Sequence, residues 1–403
     1  MTRFDTTDSP FGGAVGADPL TFAAVRTRFG DGVADELGAE LDRFGVDRPL
    51  VVTDEGVVDA GVLEQVVGDL DRPFTRHFAT TEPSTADVDD LPLGDADGVV
   101  AVGGGSVIDT AKLGSAVAAH GGHAADYIGV DTLPGPTLPF VAVPTTSGTG
   151  SQATQTAVVS HDGVKRGVSD ERLRPDCALV DPTLTFGLPA AVTRHSGFDA
   201  FVHALESLTA RDYRWVDERP ITYQGANPIS RALSARALRL VNESLERAVA
   251  NGDDRDARRR LSLGSHLAGA AFSLSGLGAV HALASSVGGM VDRPHGACLA
   301  VSLEPGLRYN LSARGSEYAA VARWLGASTA DRDAAAAADL IDECVRLRDS
   351  VGLPASMDAF GLGSGDIDAL VENTLVQERR LVTNPRDVRG DLREVLEDAL
   401  DDE

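Results

Sequence analysis

The run Val99-Val100-Ala101-Val102 passes directly into Gly103-Gly104-Gly105-Ser106 and then Val107-Ile108-Asp109-Thr110-Ala111-Lys112. No other feature restricts the fold as much. Four small apolar residues in a row read as a strand buried on both faces, the kind found in parallel sheets. A strand that turns within three glycines into a helix is the first half of a strand–helix–strand unit, so the sheet is layered against helices. The glycines let a backbone approach a pyrophosphate closely, and the helix start offers free N–H groups and the positive end of its dipole. The pattern is not G-x-G-x-x-G. A tight strand-to-helix turn with no ligand would look the same.

Two further strand ends carry polar residues. Phe140-Val141-Ala142-Val143 runs into Pro144-Thr145-Thr146-Ser147-Gly148-Thr149-Gly150-Ser151-Gln152, which crowds hydroxyls and glycines where open α/β sheets bind ligands. A plain surface loop has the same composition. Leu50-Val51-Val52-Thr53 ends in Asp54, which could bond a ribose 2′-hydroxyl or serve as an ordinary turn residue. From about Thr21 to Pro189 such runs, including Ala178–Val180, alternate with helical stretches, which indicates a mostly parallel sheet. After Ala190 the strands give way to periodic segments at Arg231–Ala250, Asp256–Leu274 and Arg332–Val351. The expected fold is therefore α/β plus all-α. A Rossmann-like dinucleotide-binding domain over 1–188 precedes a helical metal-binding domain over 189–403, with the boundary in Pro182–Pro189.

The chemistry of the second half centres on Asp199, His203, His281 and His295. Phe198, Phe201, Val202 and Leu205 fall at i, i+3, i+4 and i+7, one apolar helix face, and place Asp199 and His203 one turn apart beside it. Ser196 can cap this helix at its start. His281 lies in the apolar run Gly278–Ala284, and His295 follows Pro294. One carboxylate and three imidazoles form a mixed oxygen and nitrogen ligand set that suits Zn²⁺ or Fe²⁺ without separating them. A lone histidine in an apolar run also fits a hydrogen-bonded core residue, and an Asp-x3-His pair also fits a helix surface.

Taken in order, these motifs resemble the group III metal-dependent, or iron-containing, alcohol dehydrogenases. The residues that carry the resemblance are Gly103–Asp109, Pro144–Ser151, Gly197-Phe198-Asp199 through Glu206, His281–Ala284 and Pro294-His295-Gly296, within a likeness running from Phe29-Gly30 to about Ala399. The resemblance implies that Asp199, His203, His281 and His295 hold the metal. It implies that NAD is held by Gly103, Gly104, Gly105, Ser106 and Asp109 together with Thr145, Thr146, Ser147 and Thr149. Lys165 matches a lysine that contacts the nicotinamide ribose, and Asp54 falls near the adenosine ribose. The activity it implies is hydride transfer between NAD(H) and a small alcohol or hydroxy acid, with Fe²⁺ or Zn²⁺, in a homodimer or larger homo-oligomer. The segment Arg211–Ser230 is similar to an insertion in the hydroxyacid–oxoacid transhydrogenase branch, which makes a transhydrogenase with a tightly held nicotinamide the alternative. A lyase of the related dehydroquinate-synthase type is disfavoured, because by resemblance it uses a Glu and two His. Two departures stand out: Ser285 where many members have a second His, and Gln152 where Glu is common.

Composition bounds the partners. Over 403 residues the formal net charge is −25, from 61 acidic and 36 basic side chains. Such a surface repels nucleic acid and anionic lipid. Lys112 and Lys165 are the only lysines, and this arginine-for-lysine, acid-rich balance suggests a high-salt cytoplasm and loss of structure at low salt. Cys177, Cys298 and Cys344 form no C-x-x-C and fit a reducing cytoplasm. Met1–Pro19 is polar and Gly-rich, so no signal peptide is expected, and no run reaches the length of a membrane span.

Overall fold

The computed structural model describes residues 18–216, 223–388 and 390–401. Most of the N-terminal stretch considered for a targeting signal, and residues 217–222 of the 211–230 insertion, lie outside them. Among the described residues no single helix is long and apolar enough to cross a membrane.

Among the described residues, nine strands form two sheets: β1 (Arg26–Phe29), β2 (Pro49–Thr53), β3 (Thr75–Phe78), β4 (Gly98–Gly103), β5 (Gly129–Val130), β6 (Phe140–Pro144), β7 (Thr156–His161), β8 (Val164–Ser169) and β9 (Cys177–Val180). The main sheet has the order β1-β9-β6-β4-β2-β3, and every pair in it is parallel. Alternate side chains serve two cores. Leu50, Val52, Val99, Ala101, Phe140 and Ala142 pack against Val107, Ile108 and Ala111 of a helix at Gly105–His120. Val51, Val100, Val102, Val141 and Val143 point the other way, against Leu37 and Leu41 of a helix at Leu37–Phe44. We label these helices α1 (Leu37–Phe44) and α2 (Gly105–His120). Burial on both faces is why these strands read as unbroken apolar runs.

β2 connects to β3 on one side, while β4 connects onward to β6 on the other. The connections thus part between the carboxyl ends of β2 and β4, the place where open α/β sheets bind ligands. The smaller sheet was not expected. β7 and β8 form an antiparallel hairpin, with β5 parallel to β8. Asp162 and Gly163 at its turn have φ of 51° and 75°, the left-handed pair that a two-residue hairpin demands.

The second half is helical, with α3 (Ala190–Thr209), α4 (Pro228–Ala250), α5 (Arg255–Ser275), α6 (Ala279–Met290), α7 (His295–Leu325) and α8 (Asp333–Ser350) around one apolar core. The three segments expected to be helical match α4, α5 and α8 to within three residues. The helix start expected at Ser196 is corrected. α3 begins six residues earlier, after Pro189, and the Ser196 hydroxyl donates to the Val192 carbonyl at 2.8 Å inside it. Ala190-Ala191-Val192-Thr193 propagates the helix without a break, and proline supplies the boundary. The two halves meet closely where Gly150 (φ 64°) touches α5: a Cβ on Gly150 would lie 2.5 Å from the Gly269 Cα. Only glycine serves on both sides of that contact.

Candidate active site

Three elements bring the metal-ligating candidates together. Asp199 and His203 occupy successive turns of α3, His281 the first turn of α6, and His295 the first position of α7. One oxygen of Asp199, Oδ1, lies 3.5 Å from His203 Nδ1 and 3.4 Å from His281 Nε2. Ligand atoms of Asp199, His203 and His281 all fall within 4.8 Å of one another. The His203 and His281 rings stack at 4.4 Å between centroids, with Phe272 stacked at 4.2 Å on the other side of His203. His295 stands at the rim of this group, its ring 5.8 Å from that of His281.

The electrostatics suit a cation. Burial pushes the Asp199 carboxyl up, but the surrounding imidazoles outweigh it and hold it below the ordinary carboxylate range. Burial pulls His203 and His295 down to about 3 each, with the Asp199 charge opposing. At neutral pH Asp199 is therefore an anion, and His203 and His295 present unprotonated nitrogens. His203 Nδ1 is buried and accepts or donates no hydrogen bond. An orphaned buried nitrogen beside a carboxylate oxygen is what a ligand set looks like, and the group fits a divalent ion.

Glu206 completes this arrangement, and its role was not read from the sequence. Two turns beyond Asp199 on the same helix, its carboxylate takes the Nδ1 side of His281 at 2.5 Å and accepts from the Val280 N–H at 2.8 Å. Glu206 thus caps α6 and turns His281 Nε2 toward Asp199. A carboxylate behind a metal-binding imidazole is the usual orienting partner. The signal was available, because Glu206 lies at i+7 from Asp199 and i+3 from His203. For His281, burial acts to lower its pKa, but hydrogen bonds to Asp199 and Glu206 and their charges raise it above the ordinary value.

A cavity of ≈ 430 Å³ joins this cluster to the glycine-rich loop. Its walls include Gly105, Ser106, Asp109, Thr149 and Lys165 on one side and Asp199, His203, His281 and His295 on the other. A Cβ on Gly105 would come within 2.6 Å of the Thr149 side chain, so the two loops interlock only with glycine there. The remaining candidates stand back from the cavity. Gly103 and Gly104 form the turn itself; Thr145 is buried, and its N–H bonds the Gly103 carbonyl at 3.1 Å. Thr146 lies beside Gly104, and the Ser147 hydroxyl meets that of Ser262 at 2.9 Å. Asp54 caps the short helix after β2, accepting from the Val57 N–H at 2.9 Å, and does not line the cavity.

Both lysines have identifiable roles. Lys112 is completely buried and donates to the Ser151 hydroxyl (2.8 Å), the Thr154 hydroxyl (2.9 Å) and the Thr156 carbonyl (2.7 Å). Three acceptors for three ammonium protons explain why a compact lysine is kept where arginine is otherwise the rule. Asp109 braces the same corner, accepting from Ser151 at 2.6 Å and from the Val158 N–H at 2.9 Å. Lys165 lines the cavity on β8, paired with Glu82 at 2.7 Å. Tyr223, at the end of the insertion, also lines the cavity, with its hydroxyl 2.9 Å from that of Thr156. Ser285, one turn after His281, accepts from Arg380.

Both halves of the chain match models of one known family. Residues 24–182 match the family model described as iron-containing alcohol dehydrogenase, and residues 193–400 match that of its C-terminal part. The chain belongs to the iron-containing alcohol dehydrogenase family. Within this family it is 34% identical over 383 residues to an NAD-dependent methanol dehydrogenase of Bacillus methanolicus, covering 92% of this chain and 97% of that one. It is 31% identical to a mitochondrial hydroxyacid-oxoacid transhydrogenase of Xenopus tropicalis, over 90% and 86% of the two chains. A crystal structure of a 1,3-propanediol oxidoreductase superposes with a TM-score of 0.88 at 30% identity, covering 95% of this chain and 100% of that one.

Proposed function

We propose that this member of the family is a metal-dependent, NAD(H)-linked dehydrogenase that moves a hydride between a small alcohol or hydroxy acid and the nicotinamide. The observation that carries this reading is the single cavity shared by the start of α2 and the Asp199–His203–His281 cluster with His295. Its dinucleotide end offers the N–H groups of a 16-residue helix, with Gly105 and Ser106 at the mouth. Its other end offers one carboxylate and the imidazoles.

A divalent ion held by Asp199, His203, His281 and His295 supplies Lewis-acid polarisation of the substrate oxygen, and the nicotinamide supplies the hydride acceptor. The protein does the rest. Glu206 fixes the tautomer and direction of His281, so that Nε2 stays directed at the cluster. Phe272 packs the back of His203 and holds its ring. Leu277, Ala284 and Phe272 give the chemical end of the cavity apolar walls that exclude water, which strengthens every charge interaction inside. Lys112, through Ser151 and Thr154, ties α2 to the loop opposite and so holds the two ends of the cavity in register. Three buried, unpaired cysteines support a reducing compartment.

The test is absorbance at 340 nm in molar KCl, with protein loaded separately with Fe²⁺ or Zn²⁺, free NAD⁺ and a panel of small alcohols and hydroxy acids. Sustained NADH formation, abolished by a chelator, is the expected result. His295→Ala keeping most of its turnover would remove that residue from the ligand set. A second reading, the transhydrogenase, is supported by Tyr223, which brings the insertion to the cavity wall. It predicts no NADH release and consumption of a hydroxy acid only once a 2-oxo acid is added.

A further inference from the structure

Tyr223 lines the cavity in a backbone conformation that its side chain disfavours. Among the described residues, three that are not glycine have positive φ: Asp131 (52°), Asp162 (51°) and Tyr223 (61°). A short polar aspartate tolerates the left-handed region through local hydrogen bonds, but a bulky aromatic residue there is an outlier. Such strain persists only where the surroundings fix it, and it collects at functional sites. Here the backbone is fixed on both flanks. The N–H groups of Gln224 and Gly225 donate to the Leu274 and Ser275 carbonyls at the end of α5, at 2.7 Å and 3.2 Å. The Gln224 side chain accepts from the Thr21 N–H at 2.9 Å and donates to the Thr21 carbonyl at 3.1 Å. The Ala226 N–H donates to the Arg211 carbonyl at 2.7 Å, and a Cβ on Gly225 would lie 2.6 Å from that same oxygen. At the far end of the side chain, the Tyr223 hydroxyl is 2.9 Å from that of Thr156, which is itself 2.8 Å from that of Ser169.

We infer that the Tyr223 ring is a wall that limits the length of the substrate's carbon chain. This rests on the reading of the cavity as an alcohol-oxidising site and adds what bounds its substrate. With its backbone bonded to the end of α5 and its hydroxyl on β7, the ring has to cross from the helical half to the sheet half. Phe272 precedes and Leu277 follows the Leu274–Ser275 pair that holds this backbone, and both line the cavity. Phe272 also stacks on His203 at 4.2 Å, so the barrier stands at the chemical end. Because the hydroxyl meets Thr156, what the ring adds to the cavity is apolar bulk. The backbone bonds would form equally well without it. Glycine takes this φ with no strain, so the fold alone gives no reason for tyrosine here. What the ring changes is the space open to the substrate.

The experiment measures kcat/KM for propan-1-ol and hexan-1-ol in the metal-loaded native enzyme and in Tyr223→Gly, Tyr223→Ala and Tyr223→Phe. The native enzyme is expected to favour propan-1-ol. The ratio of hexan-1-ol to propan-1-ol should rise at least about 10-fold in Tyr223→Gly and Tyr223→Ala, the low end of what one methylene is worth in an apolar pocket, through a gain on the longer alcohol. Tyr223→Phe keeps the ring and should keep the native ratio. A native preference for hexan-1-ol, an unchanged ratio in the two truncations, or a Tyr223→Phe enzyme as permissive as Tyr223→Gly would overturn the proposal. Thermal melts test the strain separately. Glycine is ordinarily a less stable replacement than alanine, yet here Tyr223→Gly should melt above Tyr223→Ala, because glycine adopts this φ freely. The reverse order would show that the ring is held without strain and overturn the argument for its retention. A last readout needs no turnover. Hexanamide, a six-carbon chain with a polar head and no hydride to give, should raise the melting temperature of Tyr223→Gly more than that of the native enzyme. Equal shifts, or none in either, overturn the wall. A hexanamide shift that depends on Tyr223, in a protein that oxidises no alcohol, sinks the dehydrogenase reading and leaves the wall standing.

Discussion

The carboxylate of Glu206 sits 2.5 Å from Nδ1 of His281, and that contact decides which imidazole nitrogen faces the cleft. The same carboxylate accepts the Val280 N–H, so the orientation of the ligand and the start of its helix are set by one side chain. Glu206→Gln keeps the volume and one acceptor but loses the charge. Metal affinity is expected to fall by about 10- to 100-fold, measured by competition with a chromogenic chelator, with a smaller loss of thermal stability. Metal affinity equal to the native value would show that the carboxylate serves only as a helix cap.

Lys112 makes a separate point about buried charge. All three ammonium protons are used and the side chain is fully buried, so burial pulls its pKa down to about 8. Lys112→Met removes the donor to the Ser151 and Thr154 hydroxyls and the Thr156 carbonyl, and the cation whose Nζ lies 4.0 Å from the Asp109 carboxylate. A destabilisation of about 3–5 kcal/mol follows, the range for breaking a buried charged pair. Urea unfolding measures it. Lys112→Arg should also destabilise, because the guanidinium is too large for a pocket built around one nitrogen. A neutral Lys112→Arg would mean that the retained lysine has no structural cause.

How much of this was legible beforehand follows from how local each signal is. Asp199 and His203 are four apart on one helix, and the glycine loop follows a strand, so periodicity alone places them. The join between Asp199, His281 and His295 depends on three helices crossing, which no spacing encodes; only the family resemblance brought them together. The β7–β8 hairpin was missed although Asp162-Gly163 marks its turn, because Val164–Ser169 is polar and does not read as a buried strand. Arg380 had no signal at all. It reaches the cavity from a four-residue helix some hundred positions after His281. Asp54 carried a plausible signal, and the structure shows its oxygen capping a helix.

Salt should matter to this chain. A net charge of −25 repels itself in dilute buffer, and at 1 M salt the screening length shrinks to about 3 Å. The melting temperature followed by circular dichroism is expected to rise between dilute buffer and molar KCl. An unchanged melt would count against adaptation to a high-salt interior.

A pH effect is expected from His266, which is not one of the metal-ligating candidates. It lies on α5, buried, with Nε2 3.0 Å from the Thr27 hydroxyl of β1, and so joins the helical half to the edge of the sheet. Burial pulls its pKa from 6.5 down to about 4. Below pH 6.5 the unfolded chain takes up a proton at this position, while the native protein does not until about pH 4. The native state is therefore favoured in full above pH 6.5 and loses this contribution as pH falls through that window. At roughly 1.4 kcal/mol per pH unit, the loss between pH 7 and pH 5 is about 2 kcal/mol. His266→Gln keeps a hydrogen-bonding group toward Thr27 but cannot titrate. Its urea stability should decline less between those pH values than that of the native protein, by about that amount. Parallel declines in the two proteins would show that His266 is already free to accept its proton in the folded state.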